Sequence, residues 1–180
     1  MLLCAGLELQ AEQPLMICSP DALCPPVPVD PFDSAHDRLQ IQDLDSNDPD
    51  ALLELYERVA AEGFADQHPP EPSELSRRRL REELRAGVRR AAIGWIGDAP
   101  AGVAAISPMG ATGELVGVTT LERFRRRKIA STLSAHLVAD HFARGGEVAW
   151  LSAGDSVAQA TYRSIGFTDA GIYGNYISPE

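Results

Sequence analysis

The chain has 180 residues, 44% of them apolar, and a formal net charge of −10. That length and apolar content suit one globular domain with a single core. The acidity sets the molecule as a whole against nucleic acid and anionic membranes, so any anion it binds must find a local basic patch. The 16 basic residues include one lysine, Lys128, and most arginines fall in two runs, 77–90 and 123–127.

Three cysteines, Cys4, Cys18 and Cys24, sit in the first 24 residues without CxxC or Cys/His spacing. This argues for reduced thiols in a cytoplasmic protein and against a metal site. The apolar start, Met1 to Leu7, lacks a basic n-region and meets Glu8 before an export-signal core could form. No run approaches the roughly 20 apolar residues that a membrane span needs.

Residues 1–37 differ in texture from the rest and read as an N-terminal extension to a domain at 38–180. Leu7-Glu8-Leu9-Gln10 alternates as a half-buried strand does, and Pro14 to Cys18 is a short apolar run. The prolines between Cys24 and Pro31 then predict an extended connector. Arg38 to Gln42 alternates with period two, a strand. Asp48 and Pro49 supply an N-cap and a first-turn proline for a helix whose face carries Leu52, Leu55, Tyr56 and Val59, with Gly63 at its stop. A loop containing His68 follows. Ser73 can cap a second helix, Glu74 to Arg85, thinly apolar at Leu75, Leu80 and Leu84, so this arginine-rich helix should lie on the surface.

Val88 to Ile96, the turn Gly97-Asp98-Ala99-Pro100 and Gly102 to Ile106 predict a hairpin, and Gly113 to Thr120 a third antiparallel strand. A long helix over 127–144 carries Ala130, Leu133, Leu137 and His141, and Gly145-Gly146 ends it. The strand Glu147 to Leu151 and a short helix closing on Ile165-Gly166-Phe167 complete an α/β (α+β) domain with one crossover helix between parallel neighbours.

The arginine-dense turn before the long helix is the chemically suggestive stretch. Helix N-termini carry unpaired N–H groups and a positive dipole end, a ready site for phosphate, and Arg125, Arg126, Arg127 and Lys128 add charge there. A solvated basic turn is the plain alternative. Arg125-Arg126-Arg127-Lys128-Ile129-Ala130, together with Asp155-Ser156-Val157-Ala158-Gln159-Ala160-Thr161-Tyr162-Arg163-Ser164-Ile165-Gly166-Phe167, resembles the two motifs of the GNAT superfamily of acyl-CoA-dependent N-acyltransferases. The first is an Arg/Gln-x-x-Gly-x-Gly/Ala turn; the second reads roughly Asn-x-x-Ala-x-x-x-Tyr-x-x-x-Gly-Phe. The resemblance is sharp over 114–167.

It implies a mixed, mostly antiparallel sheet with helices on both faces and a splayed acyl-CoA cleft. It also implies acetyl-CoA as co-substrate, no metal, and direct acyl transfer to a small-molecule or peptide amine. Amides of the turn from Arg125 through Lys128, Ile129 and Ala130 to Ser131 would hold the pyrophosphate. The strand edge at Val118, Thr119 and Thr120 would pair with the pantetheine arm, as an added strand does, with Asp155 and Ala158 flanking the cofactor. Tyr162 would be the general acid at the leaving sulfur and Glu114 the general base, with Glu122 the second choice. The alternatives are a core aromatic at Tyr162 and an exposed strand-end carboxylate at Glu114. His136 and His141 read as packed or solvent-facing.

Lys128 stands where the family places its middle glycine, and Asp155 where it places asparagine. A catalytically weak regulatory or interaction module with the same fold is therefore the second functional reading. Relatives finish with two strands after Gly-Phe, whereas 168–180 suffice for one. The segment from Ala5 to Pro20 echoes Ile165 to Pro179, which predicts that residues 12–18 supply the absent strand, within the chain or swapped into a homodimer.

Overall fold

The computed structural model describes residues 8–26, 38–64 and 71–177; His68 and the proline connector lie outside them. The described elements are β1 (Glu8–Cys18), β2 (Leu39–Asp43), α1 (Asp50–Gly63), α2 (Glu74–Arg85), β3 (Arg90–Ile96), β4 (Ala99–Met109), β5 (Thr112–Thr120), α3 (Ile129–Ala143), β6 (Val148–Ser152), α4 (Ser156–Arg163) and β7 (Thr168–Ile177). A 3-10 turn at Glu122–Phe124 joins β5 to the basic loop.

The strands form one seven-stranded sheet in the order β2-β3-β4-β5-β6-β1-β7. The β5–β6 pair is parallel, bridged by α3, and the other pairs are antiparallel. The period-two strands have one face on each of two cores. Ala92, Ala104, Ile106, Leu115, Ala149 and Leu151 pack with Leu133, Leu137 and Val138 of α3. On the other face Ala91, Ile93, Val103 and Ala105 pack with Leu53, Tyr56 and Val59 of α1 and Leu80 of α2.

The N-terminal strand lies inside the sheet. β1 pairs with β6 on one side, with Leu15 opposite Ser152, and with β7 on the other, with Leu15 opposite Gly171. Met16 and Cys18 point into the α3-side core, 0% and 2% exposed. The chain then turns over the end of α4, where Cys24 N–H donates to the Ile165 carbonyl at 3.1 Å. Gly166, at φ +102, admits the Ala22 carbonyl where any Cβ would collide with it.

Three local expectations are corrected. Pro49 stands at the N-cap of α1 and no side chain caps it; the Asp48 carboxylate accepts instead from the Asp45 N–H at 2.8 Å. Leu53, rather than Leu52 or Leu55, is the fully buried leucine of α1, because the buried face runs through Leu53, Tyr56 and Val59. Gly63 is the last helical residue and not the stop. It is small because Thr119 of β5 occupies the space a Cβ would need.

Ser73 caps α2 as its sequence predicts, accepting from Ser76 N–H at 3.1 Å while Ser76 Oγ accepts from Ser73 N–H at 2.9 Å. Arg81 ties α2 to the start of α1 through the Ser46 carbonyl, the Asp48 carbonyl at 2.9 Å and the Asp50 carboxylate at 2.6 Å. Among the described residues no helix is long and apolar enough to cross a membrane.

Candidate active site

β5 and β6 pair only from Thr112–Val148 to Glu114–Trp150. Beyond that point Leu151 and Ser152 of β6 keep their pairing with β1 on the other edge but have none with β5 among the described residues, so a fork opens with Glu114 at its apex. At the fork β5 is irregular. Gly117 takes φ +60, and the register with β4 shifts between Val103 and Ala105, a bulge that turns following side chains to the opposite face.

Strict strand alternation would put residues 114, 116, 118 and 120 on one face, and the bulge breaks it after 116. Leu115 and Val118 belong to the α3-side core, whereas Val116 packs on the α1 side and Thr119 lies against Gly63 of α1. Glu114 therefore shares its face with Val116 and, past the bulge, with Thr119. Its carboxyl is pushed above the ordinary 4.5 by burial. At the far end of the strand, Thr120 Oγ1 is buried without a partner among the described residues.

The basic turn is built from left-handed backbone. Arg126 at φ 65 and Lys128 at φ 58 are the non-glycine residues with positive φ among those described. Lys128 thus occupies the conformation for which glycine is the usual residue. Its carbonyl accepts from the Ser131 and Thr132 hydroxyls, both at 2.8 Å. No side chain caps α3, so its first-turn N–H groups keep the orphan donors with which every helix begins. Arg125, Arg126, Arg127 and Lys128 are all exposed around that end, while Ile129 is 1% exposed and anchors the helix in the core.

Across the fork, α4 starts at Asp155, whose carboxylate accepts from Ala158 N–H at 2.7 Å. An aspartate suits that position because an N-cap carboxylate satisfies an orphan donor and faces the positive helix end. Ala158 and Tyr162 pack on the margin of the α3-side core, as Val118 does. The Tyr162 ring stands 5.9 Å from that of Phe167. Burial, and secondarily the Asp155 charge, push the Tyr162 phenol up to about 12, so it remains protonated at neutral pH.

On the other face of β5 lies a cavity of about 540 Å³ between α1, α2 and the bulge, lined among others by Tyr56, Glu57, Phe64, Leu80, Val116 and Gly117. Tyr56 and Glu57 were missed as site residues, since on α1 they carry only helical periodicity. Gly117 did leave a sequence signal: a glycine inside a strand of β-branched residues commonly marks a bulge. Glu114, Tyr162 and the basic turn do not line this cavity; the structure places them around the fork.

The remaining candidates fall elsewhere. His136 meets the Asp43 carboxylate at 2.7 Å, and His141 is 2% exposed in the core. Glu122 lies exposed in the 3-10 turn. The first arginine run is a set of ion pairs, among them Arg78–Glu74 at 3.1 Å and Arg79–Glu83 at 2.8 Å. The thiol of Cys18 is pushed up to about 11 by burial. No group of three or more His, Cys, Asp or Glu that could hold a metal is found among the described residues.

A sheet forked beside an uncapped, cation-rimmed helix start is the framework of an acetyltransferase fold, and the comparisons agree. Residues 50–167 match the model of the acetyltransferase (GNAT) family, and the chain belongs to that family. No curated protein matches it in sequence. Among solved structures it is similar to a GCN5-related N-acetyltransferase from Kribbella flavida, with TM-score 0.70 and 21% identity over 99% of this chain and 62% of that one. A tandem GNAT protein from the clavulanic acid biosynthesis pathway gives TM-score 0.67 and 14% identity over 97% of this chain and 56% of that one. A predicted acetyltransferase with acetyl-CoA from Clostridium acetobutylicum gives 0.57 and 17% over 74% of this chain and 92% of that one. The chain thus spans less than two thirds of the length of the first two.

Proposed function

We propose that this chain transfers an acetyl group from acetyl-CoA to an amine, directly and without a covalent acyl-enzyme. The observation that carries the reading is the fork: among the described residues Leu115 to Thr120 of β5 have no partner strand on the β6 side, and the uncapped start of α3 stands at the end of that edge. An extended pantetheine arm fits as an added strand, and the pyrophosphate fits the helix start. Lys128 fits too, since its left-handed backbone supplies the turn that the family builds with glycine.

Bound there, acetyl-CoA supplies a thioester whose carbonyl carbon bonds to the amine nitrogen as its bond to sulfur breaks. The residues of this chain handle the two protons. Glu114, on the same sheet face as the acceptor-side cavity, takes one from the amine, directly or through water. Tyr162, protonated at neutral pH, gives one to the departing sulfur. The Cys18 thiol, buried in the α3-side core and pushed up to about 11, is a poor nucleophile.

Calorimetry with acetyl-CoA, followed by assay of CoA release with a panel of amines, tests this reading. Micromolar-range binding and amine-dependent release support it. Absence of binding would favour the regulatory module with the same fold.

A further inference from the structure

The core on the α1 side stops at β5; no residue of β6, β1 or β7 belongs to it among those described. The other half of that sheet face nevertheless carries large side chains. Ala149 and Leu151 point into the α3-side core, as do Met16 and Cys18, so by alternation Trp150 and Ile17 stand on the opposite face. Leu115 points to the α3 side as well, which puts Glu114 on the face of Trp150. The two are register partners across the parallel pair, and Ile17 is the partner of Trp150 on its other side. The Tyr173 ring of β7 stands 6.1 Å from that of Trp150, at 33°. An aromatic shelf thus begins at the apex of the fork, next to the carboxylate proposed as base. It lies on the β6 side of Glu114, whereas the cavity, lined by Ala105 and Val116, lies toward β4.

We propose that Trp150 is the seat of the acceptor: an alkylammonium ion lies on its ring face and against Glu114, with Tyr173 closing the wall. The proposal rests on the acetyltransferase reading above. What points to a cation is the charge around the shelf. Burial raises the Glu114 carboxyl, with no neighbouring charge among the causes, and Trp150, Ile17 and Tyr173 carry none. The cation–ring contact found among the described residues is elsewhere, Arg123 over Phe124 at 5.0 Å. A carboxylate beside an aromatic face, with no basic side chain over either, is complementary to a cation from outside. Among aromatic side chains indole offers the strongest such face, and the carboxylate adds charge-assisted hydrogen bonds.

The two groups act in sequence. While charged, the acceptor is held by both; once Glu114 takes a proton, the neutral amine loses its attraction to the ring and its lone pair is free to reach the thioester carbon. Trp150 is therefore a positioning residue, which orients the amine and moves no proton. Its contact needs no N–H donor. A fully methylated nitrogen should occupy the seat without reacting, whereas a site built on hydrogen bonds alone would refuse it.

The test uses the full chain, isotope-labelled, whose two tryptophans, Trp95 and Trp150, give separate indole N–H signals in NMR spectra. Choline should displace the Trp150 signal saturably and leave that of Trp95 in place. The uncharged molecule of the same shape, 3,3-dimethyl-1-butanol, should move neither at equal concentration. In the coupled assay, run with the amine that releases most CoA, choline should compete with the amine and not with acetyl-CoA. Trp150→Leu should raise the amine KM roughly 3- to 30-fold at nearly constant kcat and acetyl-CoA affinity. Trp150→Phe, which keeps a ring, should fall between that variant and the wild type, and it carries the test alone if the Leu variant does not fold.

No displacement by choline, equal displacement by choline and the alcohol, an amine KM unchanged in the variants, or one raised equally by Phe and Leu overturns the proposal. Failure of the transfer reading looks different and leaves the seat standing: choline displaces the Trp150 signal, but acetyl-CoA does not bind or no amine releases CoA.

Discussion

A Cβ placed on Gly117 of β5 would lie 4.0 Å from the hydroxyl oxygen of Tyr56 on α1. That single approach joins the two halves of the candidate site. The bulge in β5 also lines the cavity between α1 and α2, so under the proposed function an acyl group laid along the strand and an amine entering between those helices would converge there.

Gly117→Ala should therefore act twice. At φ +60 a non-glycine residue costs about 1–2 kcal/mol, to be read as a lower urea midpoint with an unchanged m-value. The new methyl points toward Tyr56, and the amine KM should rise in initial-rate measurements. An unaltered KM would separate the bulge from the acceptor.

Tyr162→Phe keeps the ring against Phe167 and removes only the hydroxyl. If the phenol donates to the leaving sulfur, kcat should fall roughly 100-fold or more, while acetyl-CoA affinity by calorimetry stays within twofold. Unchanged turnover would return Tyr162 to the role of core aromatic.

Glu114 must be ionised to accept a proton, and burial raises its carboxyl above the ordinary 4.5. The rate should therefore climb with pH through a pKa above that value and level off once the carboxylate has formed. In Glu114→Gln that acid limb should disappear along with most of the rate. A Gln variant with the wild-type profile would place the base elsewhere.

Asp155 has two separable functions. Asp155→Ala loses the bond from Ala158 N–H and should cost about 1 kcal/mol of stability. Asp155→Asn retains a capping oxygen, so stability should change by only a few tenths of a kcal/mol. Both remove the charge that helps to hold the Tyr162 phenol up at about 12. Spectrophotometric titration should show its pKa drop in both variants, though not to the ordinary value, because burial is the larger cause.

Lys128→Gly should relieve left-handed strain worth about 1 kcal/mol, offset in part by the greater freedom of glycine in the unfolded chain. Thermal unfolding should thus move little or slightly upward. Acetyl-CoA should bind a few-fold more weakly at low salt, a difference that disappears at high salt as screening removes the lysine contribution.

Local chemistry was enough to read much of this protein. The period-two strands, the Ser73 cap, the crossover helix ending at Gly145 and the two motifs around Arg125 and Tyr162 are each written in residues close together in the chain. Such features depend on backbone propensity and on neighbours a few positions apart. The family assignment followed from the same stretch, 114–167.

What the tertiary structure decided depends on residues distant in sequence. Whether Glu8–Cys18 pairs within its own sheet rests on hydrogen bonds to β6 and β7, more than 130 positions away. Glu114 shares a face with Val116 as strand alternation requires, but past Gly117 the shared face passes to Thr119, because parity along β5 reverses there; the glycine hints at a bulge, and only the pairing with β4 fixes how the following side chains turn. Tyr56 and Glu57 were invisible as site residues for the same reason. Their helix announces only which side is buried, and it is the packing of α1 against the β5 bulge that turns one of those buried positions into the wall of a cavity.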